Sequence, residues 1–351
     1  MRIVVFGLTV SSSWGNGHAT IWRGLLRALA DLGCDCTFFE RDVPYYADAR
    51  DLHRGDGWEL VLYDDWERIA PAAKRALANA DAAIVTSYCP DAIAASALVL
   101  EQPRLLRVFY DLDTPVTLGR LARGESVDYI PADGLSGFDL VLSFTGGRAL
   151  DELQSRLGAR RTVPLFGSVD LDCHRRVPPV QHYASDLSYL GTYASDRQQA
   201  VEQLFVGAAN ALPDRRFLIG GSMYPPEFPW SGNIHFIHHV PPPEHPSFYC
   251  SSKITLNVTR ASMAAYGYCP SGRLFEAAAC GTPILSDAWE GLETFFEPGK
   301  EILVAKTTED AIAAMEMPSD ELATMAAAAY ERVRGEHTAR RRAEEMLRAF
   351  A

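Results

Sequence analysis

The chain's seven cysteines include no CxxC pair, so they fit neither a paired disulfide framework nor a zinc site. No apolar run is long enough to span a bilayer, and Arg2 followed by IVVFGL reads as a first strand, not a signal peptide. Basic charge is scarce: 33 Lys and Arg against 45 Asp and Glu give a net charge of −12. That balance argues against a binder of phosphate backbones and against an anionic membrane surface. No internal repeat or low-complexity tract is present. What is there is the composition of a soluble globular protein, 48% apolar and 22% charged. Its 351 residues suffice for two domains, each with its own core. Cys34 and Cys36 alternate along a strand as small buried thiols do, and the expected compartment is the reducing cytoplasm.

Short apolar runs alternate with helical patterns throughout, which is the mark of α/β architecture with mostly parallel sheets. The first half reads as strands at 2–7, 34–39, 83–86, 105–110, 140–144 and 162–165, with a helix over 18–32 striped by Trp22, Leu25, Leu26 and Leu29. The segment GSVDLDCHRRVPP at 167–179 reads as a connection between domains. A second set follows, with strands at 187–190, 217–220, 234–237, 254–258, 283–285 and 302–304. Helices are expected near 197–211, 272–280 and 309–315, and the tail from Ser319 as a terminal helix broken near Gly335. The organisation expected is two successive α/β domains with a cleft between them.

Chemistry in such sheets gathers at the carboxyl ends of strands. The segment SGRLFEAAACGTPILS, 271–286, is a helix capped by Ser271, stopped by a left-handed Gly281 and kept from resuming by Pro283. Arg273 and Glu276 share one of its faces. They are either a packing pair or, for Glu276, a carboxylate that accepts the two hydroxyls of a ribose. The long first loop, LTVSSSWGNGHAT, carries Gly15, Asn16 and Gly17 and ends at His18. It imitates a dinucleotide fingerprint, with Glu40 in place of the ribose acid, but the glycine spacing is wrong. His18 at a helix start suits a neutral general base, or it only packs that start. FYDLDTPVTL brings Asp111 and Asp113 to a strand end, where either orients His18 or merely forms a turn. LSFTGG delivers Thr145, Gly146 and Gly147 to another strand end. LGTYASDR sets Gly191, Thr192 and Tyr193 before a helix start at Asp196 and Arg197, an arrangement of amides and a guanidinium that suits a diphosphate. Asp196 there is otherwise an ordinary N-cap. NVTR adds Arg260. His235, His238, His239 and His245 cluster with no ligand spacing, so loop structure is expected there and no metal.

These strings together resemble the CgeB-like, or spore-maturation-protein-like, family of GT-B glycosyltransferases. The likeness runs through WGNGHAT at 14–20, FYDLDTPVTL at 109–118, LSFTGG at 142–147, YLGTYASDR at 189–197, LNVTR at 256–260 and PSGRLFEAAACGTPILSD at 270–287. The resemblance implies an α/β GT-B fold: two facing Rossmann-like domains with a deep interdomain cleft and a C-terminal helix. It implies an acceptor-side domain over 1–168, a nucleotide-sugar domain over 169–330, and a helix over 331–351 packing back on the first domain. It further implies transfer of a sugar from a nucleotide-sugar donor to a hydroxyl or amine, with no cofactor and no metal. Carried over by position, Glu276 resembles the ribose carboxylate, Gly191, Thr192 and Arg197 lie by the diphosphate, and the His239–Val240 backbone lies near the base. Many retaining relatives carry a second glutamate eight positions before Glu276, where this chain has Tyr268. The retaining assignment therefore does not carry over, and His18 with Asp111 or Asp113 resembles, by loop position, the His–Asp pair of inverting enzymes. Three other readings stand beside this one: a nicotinamide oxidoreductase, a sugar-nucleotide epimerase of the same fold, and a non-catalytic sugar-nucleotide-binding module.

Overall fold

A computed structural model describes residues 1–351. The chain divides into two compact units, Met1–Phe166 with Ala339–Ala351, and Gly167–Thr338. The first unit is built on a seven-stranded sheet of β1 (Arg2–Gly7), β2 (Asp35–Arg41), β3 (Glu59–Tyr63), β4 (Ala82–Thr86), β5 (Leu106–Asp111), β6 (Leu140–Ser143) and β7 (Thr162–Pro164). Its order is β3-β2-β1-β4-β5-β6-β7 and every pairing is parallel. Parallel strands are covered on both faces, so their sequences are apolar without alternation. β4, AAIVT, is buried at all five positions, and β1 is buried at every residue after Arg2.

The second unit repeats the plan with β8 (Ser185–Leu190), β9 (Phe217–Gly221), β10 (Ile234–His238), β11 (Ser252–Asn257), β12 (Ile284–Asp287) and β13 (Leu303–Ala305). The order is β10-β9-β8-β11-β12-β13, again parallel. Both sheets are therefore Rossmann-like, and the winding reverses between β1 and β4 and between β8 and β11. Loops leaving those strands are free to diverge, which is where ligands of open α/β sheets bind.

Three local differences from the sequence reading have physical causes. β3 was not expected, because its five residues form a half-buried edge strand paired with β2 alone. The helix expected over 197–211 starts at Ser195 and is interrupted by a π-helical turn at Glu202–Val206. The tail breaks at His337 and Thr338, not at Gly335, which lies inside the helix Ser319–Glu336. The His337 carbonyl accepts the Val169 amide, and its ring stacks 4.7 Å from Phe275, which fixes the break there. The final helix, Ala339–Phe350, packs against the helix His18–Asp31 and buries Ala343, Met346 and Phe350. No helix is long and apolar enough to cross a membrane.

Candidate functional site

In the first unit, the loop after β1 is built around Glu40, which is 1% exposed at the end of β2. Its carboxylate accepts the Thr9 hydroxyl at 2.7 Å and the amides of Val10 and Ser11 at 2.7 and 2.9 Å. A carboxylate used up in this way holds no ribose, so the acid that completes an apparent dinucleotide fingerprint is a loop anchor. Asn16 continues the stitching, donating to the Thr9 carbonyl while its Oδ1 accepts the His18 amide at 3.1 Å. Gly15 takes φ 60°, and Gly17 precedes the helix with no side-chain cap.

His18 opens that helix with its Nε2 3.9 Å from Asp113 Oδ1. Asp111 is not the partner. It is fully buried, and its Oδ1 accepts the Asp113 amide at 3.1 Å while Oδ2 has no partner. Burial, followed by the neighbouring Asp113 charge, pushes Asp111 up to about 6. Tyr88 completes the group: it holds φ 63°, its ring lies 6.3 Å from that of His18, and burial and then Asp113 keep its phenol protonated. A non-glycine residue in the left-handed region stores strain, which is most often found beside functional groups. Thr145 is buried in the loop after β6, where its amide and carbonyl both bond the Ser143 hydroxyl. Gly146 follows it, and Gly147, at φ 57°, leads into the helix Arg148–Leu157.

In the second unit, the ends of β8 and β9 touch backbone to backbone. A Cβ on Gly221 would sit 2.0 Å from the Gly191 carbonyl oxygen, so only glycine fits there. The next residues continue this pairing, with the Tyr193 amide donating to Ser222 and the Thr192 and Ser222 hydroxyls 3.3 Å apart. Two arginines flank Tyr189 just before Gly191. Arg197 donates to its phenol at 3.3 Å, and the Arg273 guanidinium lies 5.7 Å from its ring centroid. Neither arginine is in an ion pair, and Arg197 Nε is buried without a partner. Burial alone would raise the Tyr189 phenol, but the two guanidiniums bring it below its ordinary value. Two guanidiniums outside any direct ion pair are therefore held at the carboxyl end of β8. Arg260 differs, because Asp196 takes up its charge at 2.9 Å; Asp196 lies in the first helical turn and does not cap it.

Ser271 makes no cap bond either. It accepts from Arg273 Nε, whose other nitrogens donate to the Leu190 and Val258 carbonyls and so tie β8 to β11. The Arg273–Glu276 pair read from sequence does not form. Glu276, 7% exposed, turns Oε2 toward the Tyr249 hydroxyl at 3.3 Å, His245 Nδ1 at 3.9 Å and His174 Nε2 at 4.0 Å. Burial pushes His245 down to about 4 even though Glu276 opposes the shift. Gly281 takes the left-handed φ of 68° that a helix exit requires. His239, at φ 55°, donates its amide to Gly221, and the Val240 carbonyl bonds His245 Nε2. Of the four clustered histidines only His245 reaches Glu276. Sequence reasoning missed His174, Tyr189, Tyr249 and Tyr88; His174 sits in a stretch with no periodicity to flag it.

Residues 197–348 match the family model described as glycosyl transferase-like. Comparison with curated proteins gives no match. Among solved structures, a sucrose-phosphate synthase from Thermosynechococcus elongatus superposes with a TM-score of 0.70 at 15% identity, covering 100% of this chain and 98% of that one. Anabaena HepE in complex with UDP-glucose gives 0.69 at 11%, covering 99% and 100%. An alpha-glucosyltransferase in complex with UDP-glucose and DNA containing an abasic site gives 0.68 at 12%, covering 100% and 99%. At such identities the likeness speaks to fold, and the fold is that of the GT-B glycosyltransferases.

Proposed function

We propose that this GT-B chain is a metal-independent glycosyltransferase of the CgeB-like branch, moving a sugar from a nucleotide-sugar donor to an acceptor hydroxyl or amine. The observation that carries the reading is the pair Arg197 and Arg273, without carboxylate partners, at the carboxyl end of β8 beside the Gly191–Gly221 backbone contact. Such a site suits a diphosphate, and fixed guanidinium charge there takes the place of a divalent ion as the leaving group departs. Glu276 supplies the ribose acceptor through Oε1, which makes no hydrogen bond. The glycosyl transferase-like match over 197–348 and the UDP-glucose held by HepE support a UDP-sugar as the first donor to test. No cofactor takes part beyond the nucleotide sugar.

On the acceptor side, His18 removes the proton from the acceptor hydroxyl and Asp113 stabilises the imidazolium. The oxygen then bonds the anomeric carbon as the bond to the nucleoside diphosphate breaks. In-line attack inverts the anomeric centre. The seven free cysteines accord with a reducing cytoplasm.

The test is calorimetric titration with UDP and turnover of a UDP-sugar. Glu276→Ala removes charge-assisted hydrogen bonds of roughly 1.5–3 kcal/mol, so UDP affinity should fall about ten- to a hundredfold. Transfer should need no added magnesium or manganese. Unchanged affinity in the folded variant removes the ribose role, and activity that collapses with chelator and returns with magnesium removes the metal-free phosphate site. Donor turnover without acceptor would indicate an epimerase instead, and donor binding with no release of UDP a binding module.

A further inference from the structure

The surroundings of Glu276 contain an arrangement that nucleotide binding does not explain. His245 Nε2 lies 3.1 Å from the Val240 carbonyl. A carbonyl only accepts, so Nε2 carries the ring proton and the neutral imidazole keeps its lone pair on Nδ1. That lone pair faces Glu276 Oε2 at 3.9 Å, another acceptor. His174 brings Nε2 to 4.0 Å from the same oxygen, its side chain is 5% exposed, and neither of its ring nitrogens has a partner. The lone pairs of His245 Nδ1 and Glu276 Oε2 thus face each other, and His174 Nε2, on a ring whose tautomer no hydrogen bond fixes, lies within 4.8 Å of both in a buried space. Lone pairs pointed at one another out of water are costly unless positive charge lies between them.

We propose that His174 Nε2, His245 Nδ1 and Glu276 Oε2 form a binding site for one divalent cation of the zinc class. The donor set is two imidazoles and a carboxylate, which favours zinc over magnesium or calcium. Bonds of about 2.0–2.1 Å in a tetrahedral shell separate ligand atoms by roughly 3.3 Å. Against roughly 3.3 Å, the two carboxylate–imidazole distances need closure of under about 1 Å and the imidazole–imidazole distance up to about 1.5 Å, within reach of side-chain rotations. The supporting contacts are those of a metal centre. The second nitrogen of His245 is pinned by a backbone carbonyl, and Oε2 also accepts the Tyr249 hydroxyl, so two of the three ligands are oriented in advance. A fourth position is left for water.

The three ligands come from the segment before β8, the helix His245–Cys250 and the helix Gly272–Ala279. An ion there joins parts of the second unit that are distant in sequence and stabilises the fold by mass action. Its role is structural and separate from the neutralisation of diphosphate assigned to Arg197 and Arg273. It also does not depend on the glycosyltransferase reading, because the assay measures zinc and not a nucleotide.

The experiment is titration of the full chain, stripped with chelator, with zinc chloride, followed by calorimetry and by thermal unfolding. The expected result is one zinc per chain, a melting temperature that rises with zinc, and no such rise with magnesium chloride. His174→Gln and His245→Gln should each weaken zinc binding at least tenfold, with circular dichroism reporting whether each variant is folded. Cobalt(II) gives a second readout on unmutated protein, through the intense visible bands of a tetrahedral nitrogen and oxygen shell. Absence of stoichiometric zinc binding, or binding that survives in both folded variants, overturns the proposal and leaves a hydrated polar cluster.

Discussion

Asp111 sits two residues from Asp113, the partner of His18, and its response to pH comes from its burial. Asp111 is charged at neutral pH inside a space that favours its neutral form, since burial lifts it from 3.8 to about 6. Between those values the folded chain holds a proton that the unfolded chain has lost, so this group's contribution to stability falls as pH rises through that window. Asp111→Asn keeps an oxygen for the Asp113 amide and removes the charge. It should stabilise the chain at pH 7 by up to about 3 kcal/mol. The gain should vanish below about pH 4, and urea unfolding at several pH values reads both limits. His245 in the second unit has the reverse sign: pushed down to about 4, it costs stability as pH falls below the ordinary imidazole range. His18→Ala belongs to catalysis instead. Under the proposed mechanism it should lower kcat by roughly 10²–10⁴ and leave UDP binding nearly intact. NMR of fresh product should show the anomer opposite to the donor.

At the scale of elements, the contact between the ends of β8 and β9 sets the most demanding position in the chain. In Gly221→Ala the new methyl meets the Gly191 backbone, not a flexible side chain, so the strands must part. Overpacking of this kind costs roughly 1–3 kcal/mol or more, and UDP affinity should fall with it because the loop beside Arg197 moves. Denaturant midpoints and titration on the same sample separate the two losses. The glycines and strand ends that frame this loop were legible in the sequence because each is a local signal: an apolar run followed by glycine and a helix start. β3 was not legible, since a five-residue edge strand buries too little to impose a pattern. The Arg273–Glu276 spacing left a packing pair open beside the ribose role, but Arg273 donates to the Ser271 hydroxyl and two strand-end carbonyls while Glu276 faces histidines. Which partner wins is decided by groups that the topology brings in from far along the chain. His174 is the clearest instance, as nothing in GSVDLDCHRRVPP marks one residue above its neighbours.

On the scale of the whole molecule, the chain leaves the first unit at Phe166 and returns to it at Ala339. Removing residues 339–351 should uncover the apolar face now covered by Ala343, Met346 and Phe350. Each large apolar side chain loses roughly 1.5–3 kcal/mol of burial. Calorimetry should show the first unit melting earlier while the transition of Gly167–Thr338 stays in place. The return also has a consequence in time. A ribosome makes Met1–Phe166 first, but the helix that covers Trp22's own helix leaves the exit tunnel only after all of Gly167–Thr338. At about 5–20 residues per second that interval is roughly 10–30 s. Through it the nascent first unit carries a bare apolar stripe, while the second is contiguous and complete as soon as it emerges. The later-made half is thus able to reach its final form before the earlier one, and a chaperone with affinity for apolar helix faces has its opening in that delay.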